Sequence, residues 1–299
     1  MMDQHASPAA RSGVFKIAGY LPVHRLGYGT MRLVGDGAWG EPADPAACHR
    51  VLRRAVELGV NLIDTADAYG PEIAERLIAE AFLNGSKGPY PAGLVIATKG
   101  GITRQGPAKT EYVGRAGYLI QCVEMSLRRL KLDRIDLYQL HRIDPRTPLE
   151  ESLGALKQLQ DQGKIRHIGL SEVTPAEIEE ARKIVNIVSV QNRYSLADRR
   201  NEETLKYCES EGIAFLPWYP MSGGKQLKPD HPSAIALAAL AARHSASAAQ
   251  LSLAWLLQRS PVLLPIPGTS KVAHLEENIA AANLKLSAEE WAQVEAAAQ

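Results

Sequence analysis

Eight short apolar runs recur along the chain, each followed by a stretch of helical period, and this alternation restricts the fold more than any other feature. The first run leads from Arg25 through Gly27-Tyr-Gly29 to Arg32. The others are Val60 to Ile63, Leu94 to Thr98, Ile135 to Leu140, Ile165 to Leu170, Ile187 to Val190, Ile213 to Leu216 and Val262 to Ile266. Helices are predicted after them over 45–58, 72–83, 117–130, 149–160, 175–183, 201–210, 248–258 and 271–281. In the first helix Val51, Leu52, Ala55, Val56 and Leu58 share a side, and Gly59 supplies the stop. Strand and helix alternation implies a parallel sheet, and eight units close a barrel. A doubly wound sheet fits less well, because no GxGxxG follows any run and Gly27-Tyr-Gly29 lacks the third glycine.

The fold class is therefore α/β, a (β/α)8 TIM barrel. An N-terminal β-hairpin, Val14 to Ile17 returning through Leu21 to Val23, precedes it, and a short C-terminal helix starts at the cap Ser287. The length of 299 residues suits a barrel of about 250 residues with additions. Residues 1–13, small and polar, are expected to form a flexible N-terminus, and 14–299 a single domain.

Lys and Arg total 34 against 33 Asp and Glu, so no global field gathers nucleic acid or an anionic membrane. Cys48, Cys122 and Cys208 are far apart and form no CxxC, which argues against a disulfide framework and a zinc site. No signal-like or membrane-spanning run is evident, and a soluble, cytoplasmic protein is expected, monomeric by default and acting on a small molecule.

In a barrel of this kind the first polar residue after each apolar run faces one mouth. Those residues are Asp64, Lys99, His141, Ser171, Gln191 and Trp218, with Tyr69 on the loop after the second run. Singly, each has an ordinary explanation: Asp64 can cap a turn, a lysine after a strand is usually solvated, and a lone histidine is more often structural. Their shared position singles them out. An acid, a lysine, a phenol and a histidine in one mouth suit protonation of a carbonyl oxygen. A free phenol titrates near pH 10, and Lys99 is expected to lower that value while Asp64 holds Lys99 charged. Tyr69 is then the general acid, and His141 a hydrogen-bonding partner of the substrate oxygen. Ser171 has no histidine in an activating pattern, and no His-x-His pair or carboxylate cluster suggests a metal.

Asp64-Thr-Ala-Asp-Ala-Tyr69-Gly, Thr98-Lys99-Gly and Gln139-Leu-His141 together resemble the aldo-keto reductase family in order, spacing and context, from Leu26 to about Ala282. The resemblance implies NADPH-dependent, reversible reduction of an aldehyde or ketone by hydride transfer, with Asp64, Tyr69, Lys99 and His141 as the catalytic tetrad. A nucleotide-binding regulatory subunit of the same fold, with slow turnover, is the alternative it leaves open. It implies cofactor contacts at Gly29, Thr30 and Met31, and at Ser171, Glu172 and Gln191 for the nicotinamide carboxamide. Trp218, Tyr219 and Pro220 would lie beside the ring, and Ile266, Gly268, Thr269, Ser270, Lys271, His274, Glu277 and Asn278 would follow the phosphates and adenine.

Two positions depart from the family pattern. Glu172 stands where asparagine is common and cannot donate unless protonated, and His274 stands where many members carry arginine. Lys271 at a helix start favours NADPH, with NADH the lesser possibility. The segments Gly101 to Arg115 and Tyr219 to Pro232 are expected to be long loops over the mouth. An open substrate pocket is expected, bounded by Met31, Arg32, Trp39, Tyr69, His141 and Tyr219.

Overall fold

A computed structural model describes residues 7–83, 88–221 and 232–297. Val14–Ile17 (β1) and Leu21–His24 (β2) pair as an antiparallel hairpin. Ile17 and Val23 from this hairpin are fully buried with Leu62, Val95 and Leu137, so it plugs the barrel where the strands begin.

Seven parallel strands follow in the order Tyr28–Gly29 (β3), Leu62–Asp64 (β4), Val95–Gly100 (β5), Ile135–Leu140 (β8), Ile165–Ser171 (β9), Ile187–Gln191 (β10) and Ala214–Phe215 (β11). Every residue of β4, β5 and β10 is buried, as continuous apolar runs between two covered faces require. Helices Pro45–Glu57 (α1), Ile73–Leu83 (α2), Ala116–Leu130 (α3), Leu149–Asp161 (α4), Pro175–Arg182 (α5) and Glu202–Glu211 (α6) alternate with the strands. Their starts follow sequence logic: Asp44 caps α1, and Thr174 with Glu177 forms a capping box on α5.

The expected eighth strand, Val262 to Ile266, is reduced to one bridge, Phe215 to Leu263. The segment nevertheless closes the barrel. Phe215 N donates to Val262 O and Leu264 N to Phe215 O on one side, while Gly27 N donates to Pro265 O and Gly29 N to Pro267 O on the other. Pro265 and Pro267 have no N–H to return, so the ladder cannot become regular.

The segments outside the barrel strands and helices carry structure of their own. Within the segment foreseen as flexible, Pro8–Ser12 form a 3-10 turn with Ala9 fully buried and the Ser12 hydroxyl bonded to Ala9 O. Ile102–Gly106 (β6) and Lys109–Tyr112 (β7) form a hairpin inside the segment read as a loop. Helix Pro232–Arg243 (α7) begins at the end of the second expected loop, of which 222–231 lie outside the described residues. Ala248–Arg259 (α8), Val272–Ala280 (α9) and Ala288–Ala297 (α10) complete the chain, the last capped by Ser287 and Glu290. Among the described residues no helix is long and apolar enough to cross a membrane.

Behind the strand ends, a buried polar cluster joins α2, β5 and α3. Glu75, fully buried, accepts from Thr98 Oγ1 and from Arg129 Nε, both at 2.6 Å. Asp67 lies beside it with Oδ1 buried and without a hydrogen-bond partner. Burial, and then the charge of Glu75, push the Asp67 carboxyl up to about 7. The folded state therefore holds this proton more tightly than the unfolded chain, so stability falls as pH rises from the ordinary carboxylate range to about 7. Asp67→Asn should gain nothing over the parent near pH 4 and roughly 2–4 kcal/mol at pH 8 in urea unfolding. An equal gain at both pH values would refute the assignment.

Candidate active site

Lys99 is the most deeply placed charge of the site, with no solvent exposure. Its Nζ donates to Asp64 Oδ2 at 2.6 Å and to Thr65 O at 2.7 Å, and lies 3.4 Å from Tyr69 Oη. The other Asp64 oxygen, Oδ1, accepts from Gln191 Nε2 at 2.7 Å and Gln139 Nε2 at 3.2 Å. The carboxylate of β4 is thus satisfied by residues of β5, β8 and β10, each last or next to last in its strand. Thr30 adds backbone and hydroxyl bonds to Asp64 O, tying in the end of β3.

The Tyr69 loop is set by backbone geometry. Gly70 adopts φ +112°, and a Cβ there would meet the Ile73 side chain at 2.5 Å, so no other residue fits the turn. Gly70 also exchanges backbone bonds with Ala38 and Gly40. The phenol ring of Tyr69 stands edge-on to His141, with centroids 6.1 Å apart.

Burial works to lower the Lys99 pKa, but Asp64 and the Tyr69 oxygen outweigh it and the ammonium is retained. The expectation that Lys99 brings the Tyr69 phenol below its ordinary value is corrected. Burial raises it, Lys99 opposes, Asp64 adds to the rise, and the net direction is upward. His141 is driven well below the usual imidazole range, first by burial and then by the cations Lys99, Arg142 and Arg104. Its Nδ1 is buried without a hydrogen-bond partner.

A cavity of about 290 Å³ opens onto these groups. Of the residues singled out in the sequence, Gly29, Thr30, Met31, Arg32, Asp64, Tyr69, His141, Ser171, Gln191, Trp218, Tyr219, Pro220, Ile266 and Gly268 line it. A second space of about 610 Å³ continues from Met31, Arg32 and Gly268 along Thr269, Ser270, Lys271 and His274. Gly29 and Gly268 meet there: a Cβ on either would lie 2.7 or 2.6 Å from a carbonyl of the opposite segment.

Besides Lys99, four expected residues line neither space. Trp39 bridges Gly70 and stands 38% exposed, Glu277 gives its carbonyl to Gln250, and Asn278 is buried in α9. Glu172, the fourth, adopts φ +56°, and its Oε1 accepts from Arg193 N and Trp218 Nε1, both at 2.6 Å. The Arg193 guanidinium lies 5.6 Å from the Trp218 ring and 5.0 Å from that of Tyr219. Glu172 therefore fixes the indole and does not face the cavity itself.

Ile102, Arg104, Thr110, Tyr112, Arg142 and Met221 also line the cavity; all but Arg142 belong to the two segments expected over the mouth, though none was singled out by itself. Arg142 directly follows His141, so its place beside the mouth was legible from position alone. Arg104 and Tyr112 depend on the β6–β7 hairpin, which the sequence did not disclose.

A family model described as the Aldo/keto reductase family matches residues 25–299. The chain belongs to this family. It is an oxidoreductase of the nicotinamide-dependent kind. The aldo-keto reductase is 48% identical over 97% of its length to an uncharacterized oxidoreductase of Schizosaccharomyces pombe, covering 91% of that protein. It is 43% identical to pyridoxine 4-dehydrogenase of Escherichia coli, covering 89% of this chain and 92% of that one. Among solved structures, the glycerol dehydrogenase of Gluconobacter oxydans superposes with a TM-score of 0.84 at 26% identity, over 96% of this chain and 95% of that one. An aldo-keto reductase of Klebsiella pneumoniae in complex with NADPH superposes at 0.79 with 25% identity, over 95% and 94%.

Two measurements test this geometry. An NMR titration should find the His141 imidazole uncharged across pH 6 to 8, and protonation near pH 6.5 would contradict it. Glu172→Ala should cost about 1.5–3 kcal/mol, the worth of hydrogen bonds to a charged acceptor, and shift the Trp218 emission. Glu172→Gln, which keeps an acceptor, should do much less.

Proposed function

We propose that the protein reversibly reduces an aldehyde or ketone to the alcohol with NADPH, and that Tyr69 delivers the proton. The reading rests most directly on the buried series Asp64, Lys99 and Tyr69, which sets a phenol backed by an ammonium at the cavity wall beside His141. When bound, the reduced nicotinamide supplies a hydride to the carbonyl carbon. Tyr69 gives its hydroxyl proton to the carbonyl oxygen as charge develops there. The Lys99 ammonium stabilises the phenolate left behind, and Asp64 keeps Lys99 protonated and aimed. His141, uncharged, hydrogen-bonds the same oxygen and orients the substrate.

The residues present fit such a cofactor. Arg142 Nη1 donates to Ser171 Oγ at 2.8 Å, and an arginine can only donate, so the Ser171 proton stays available. The Gln191 amide nitrogen is committed to Asp64, which leaves its carbonyl oxygen as an acceptor. One donor and one acceptor at the cavity wall complement a carboxamide, and Trp218 offers an aromatic face. Ser270, Lys271 and His274 suit phosphates, with Lys271 at the N-cap of α9. The extra cation supports NADPH over NADH. Gly29, Thr30 and Met31 would flank the nucleotide, and residues 14–299 would act as one catalytic domain.

The Escherichia coli relative named pyridoxine 4-dehydrogenase makes pyridoxal the first aldehyde to assay, beside simple aldehydes and ketones. Loss of NADPH absorbance should accompany turnover. Tyr69→Phe should lower kcat about 100- to 10,000-fold while nucleotide binding, read by tryptophan quenching, persists. A parent protein that binds no nicotinamide nucleotide would overturn the proposal, as would a Tyr69→Phe enzyme of full activity.

A further inference from the structure

The reaction cavity carries an unbalanced charge. Among the described residues its only acidic lining residue is Asp64, whose oxygens are taken by Lys99, Gln139 and Gln191. Against it stand Arg32, Arg104 and Arg142. Elsewhere the partly buried Arg129 and Arg259 have carboxylates, Glu75 and Glu209, whereas Arg25 is held by three backbone carbonyls away from any cavity described above. Among the described residues, Arg104 and Arg142 have none.

Both guanidinium groups are held by neutral acceptors that leave donors over. Arg142 Nη1 bonds His141 O at 2.6 Å and Ser171 Oγ at 2.8 Å. Arg104 Nε bonds Ala68 O at 2.7 Å and its Nη1 bonds Gly37 O at 3.2 Å. A guanidinium carries five N–H donors, so each retains several for a ligand. The two flank the reacting groups from opposite segments, Arg142 after β8 and Arg104 on β6. Both depress the charge of His141, so both lie within electrostatic reach of the point where a carbonyl would bind. Arg32 and Arg104 also border the groove of Lys271 and His274, where the proposed function puts the nucleotide phosphates. Arg142 borders only the reaction cavity.

A half-buried guanidinium without a counter-charge has lost hydration that only an anion restores in full. The apolar remainder of the wall, including Ile102, Tyr112 and Met221, suits a flat or aliphatic body. We infer that Arg142 and Arg104 form a subsite for the anionic group of the substrate, and that the physiological substrate is a carbonyl compound carrying a carboxylate or a phosphate. The inference rests on the reductase reading and narrows its substrate class.

The test compares pairs that differ by one anionic group: benzaldehyde against each carboxybenzaldehyde isomer, and pyridoxal against pyridoxal phosphate, at saturating NADPH. At least one anionic member should exceed its neutral partner in kcat/KM by about 10- to 100-fold, the value of a charge-assisted hydrogen bond. Which pair shows it distinguishes carboxylate from phosphate. Added salt should raise KM for that member and leave its neutral partner unmoved. In Arg142→Met and Arg104→Met, the ratio of anionic to neutral kcat/KM should collapse towards one, whatever the absolute rates. Equal kcat/KM within every pair would overturn the inference and leave the reductase reading standing. So would variants that lower both members alike, which would confine Arg142 to positioning Ser171. Absence of turnover with every aldehyde would overturn both.

Discussion

The contact between Lys99 and Asp64 is the interaction on which the site depends. Two ions removed from water cost several kcal/mol each, and their attraction compensates only if every remaining donor and acceptor is also met. Here that condition holds: Lys99 reaches Thr65 O as well, and the free carboxylate oxygen takes two glutamine amides. The consequence is geometric. Four strand ends must stay in register for one ion pair to be satisfied, and loss of either partner would strand a buried charge at a cost of about 3–5 kcal/mol. The ion pair is thereby also the clamp that holds the mouth of the barrel.

This clamp explains why the phenol behaves differently from the sequence expectation. Placing a lysine near a tyrosine argues for a lowered pKa only if the tyrosine keeps its water. Tyr69 is 7% exposed, and the carboxylate that anchors Lys99 also repels a phenolate. Burial therefore outweighs the ammonium. In the proposed reaction such a hydroxyl is a store for an acid: it holds its proton in the resting site and gives it up as an oxyanion develops.

Much of the architecture was legible because its signals are local. Apolar runs ending at Asp64, Lys99, His141, Ser171 and Gln191 placed those residues at one mouth, since strand direction alone decides where a run ends. What failed depended on backbone geometry that the spacing of apolar residues does not report. Val262 to Ile266 reads as a strand, but the prolines around it, Pro265 and Pro267, remove the donors that a strand needs on both sides. The β6–β7 hairpin has short, polar strands whose alternation is weak, with β7 exposed throughout. Glu172 looked like a defective cofactor ligand. Its left-handed backbone turns the carboxylate away to Trp218, and no pattern in the sequence reports a φ angle.

The charges around His141 have a second consequence that joins these observations. Lys99, Arg142 and Arg104 suppress the imidazolium because each is a fixed positive charge in a region of little water. A field that penalises one positive charge favours a negative one at the same place. In the proposed reduction, negative charge grows on the carbonyl oxygen as the hydride arrives, beside His141 and Tyr69. The ammonium and guanidinium groups are already anchored, by Asp64, by His141 O and Ser171 Oγ, and by Ala68 O, so they need not reorganise as that charge appears. Burial keeps the tyrosine protonated against this field and, together with the field, keeps the histidine neutral, and these are the states from which both can hydrogen-bond an oxygen that is becoming an alkoxide.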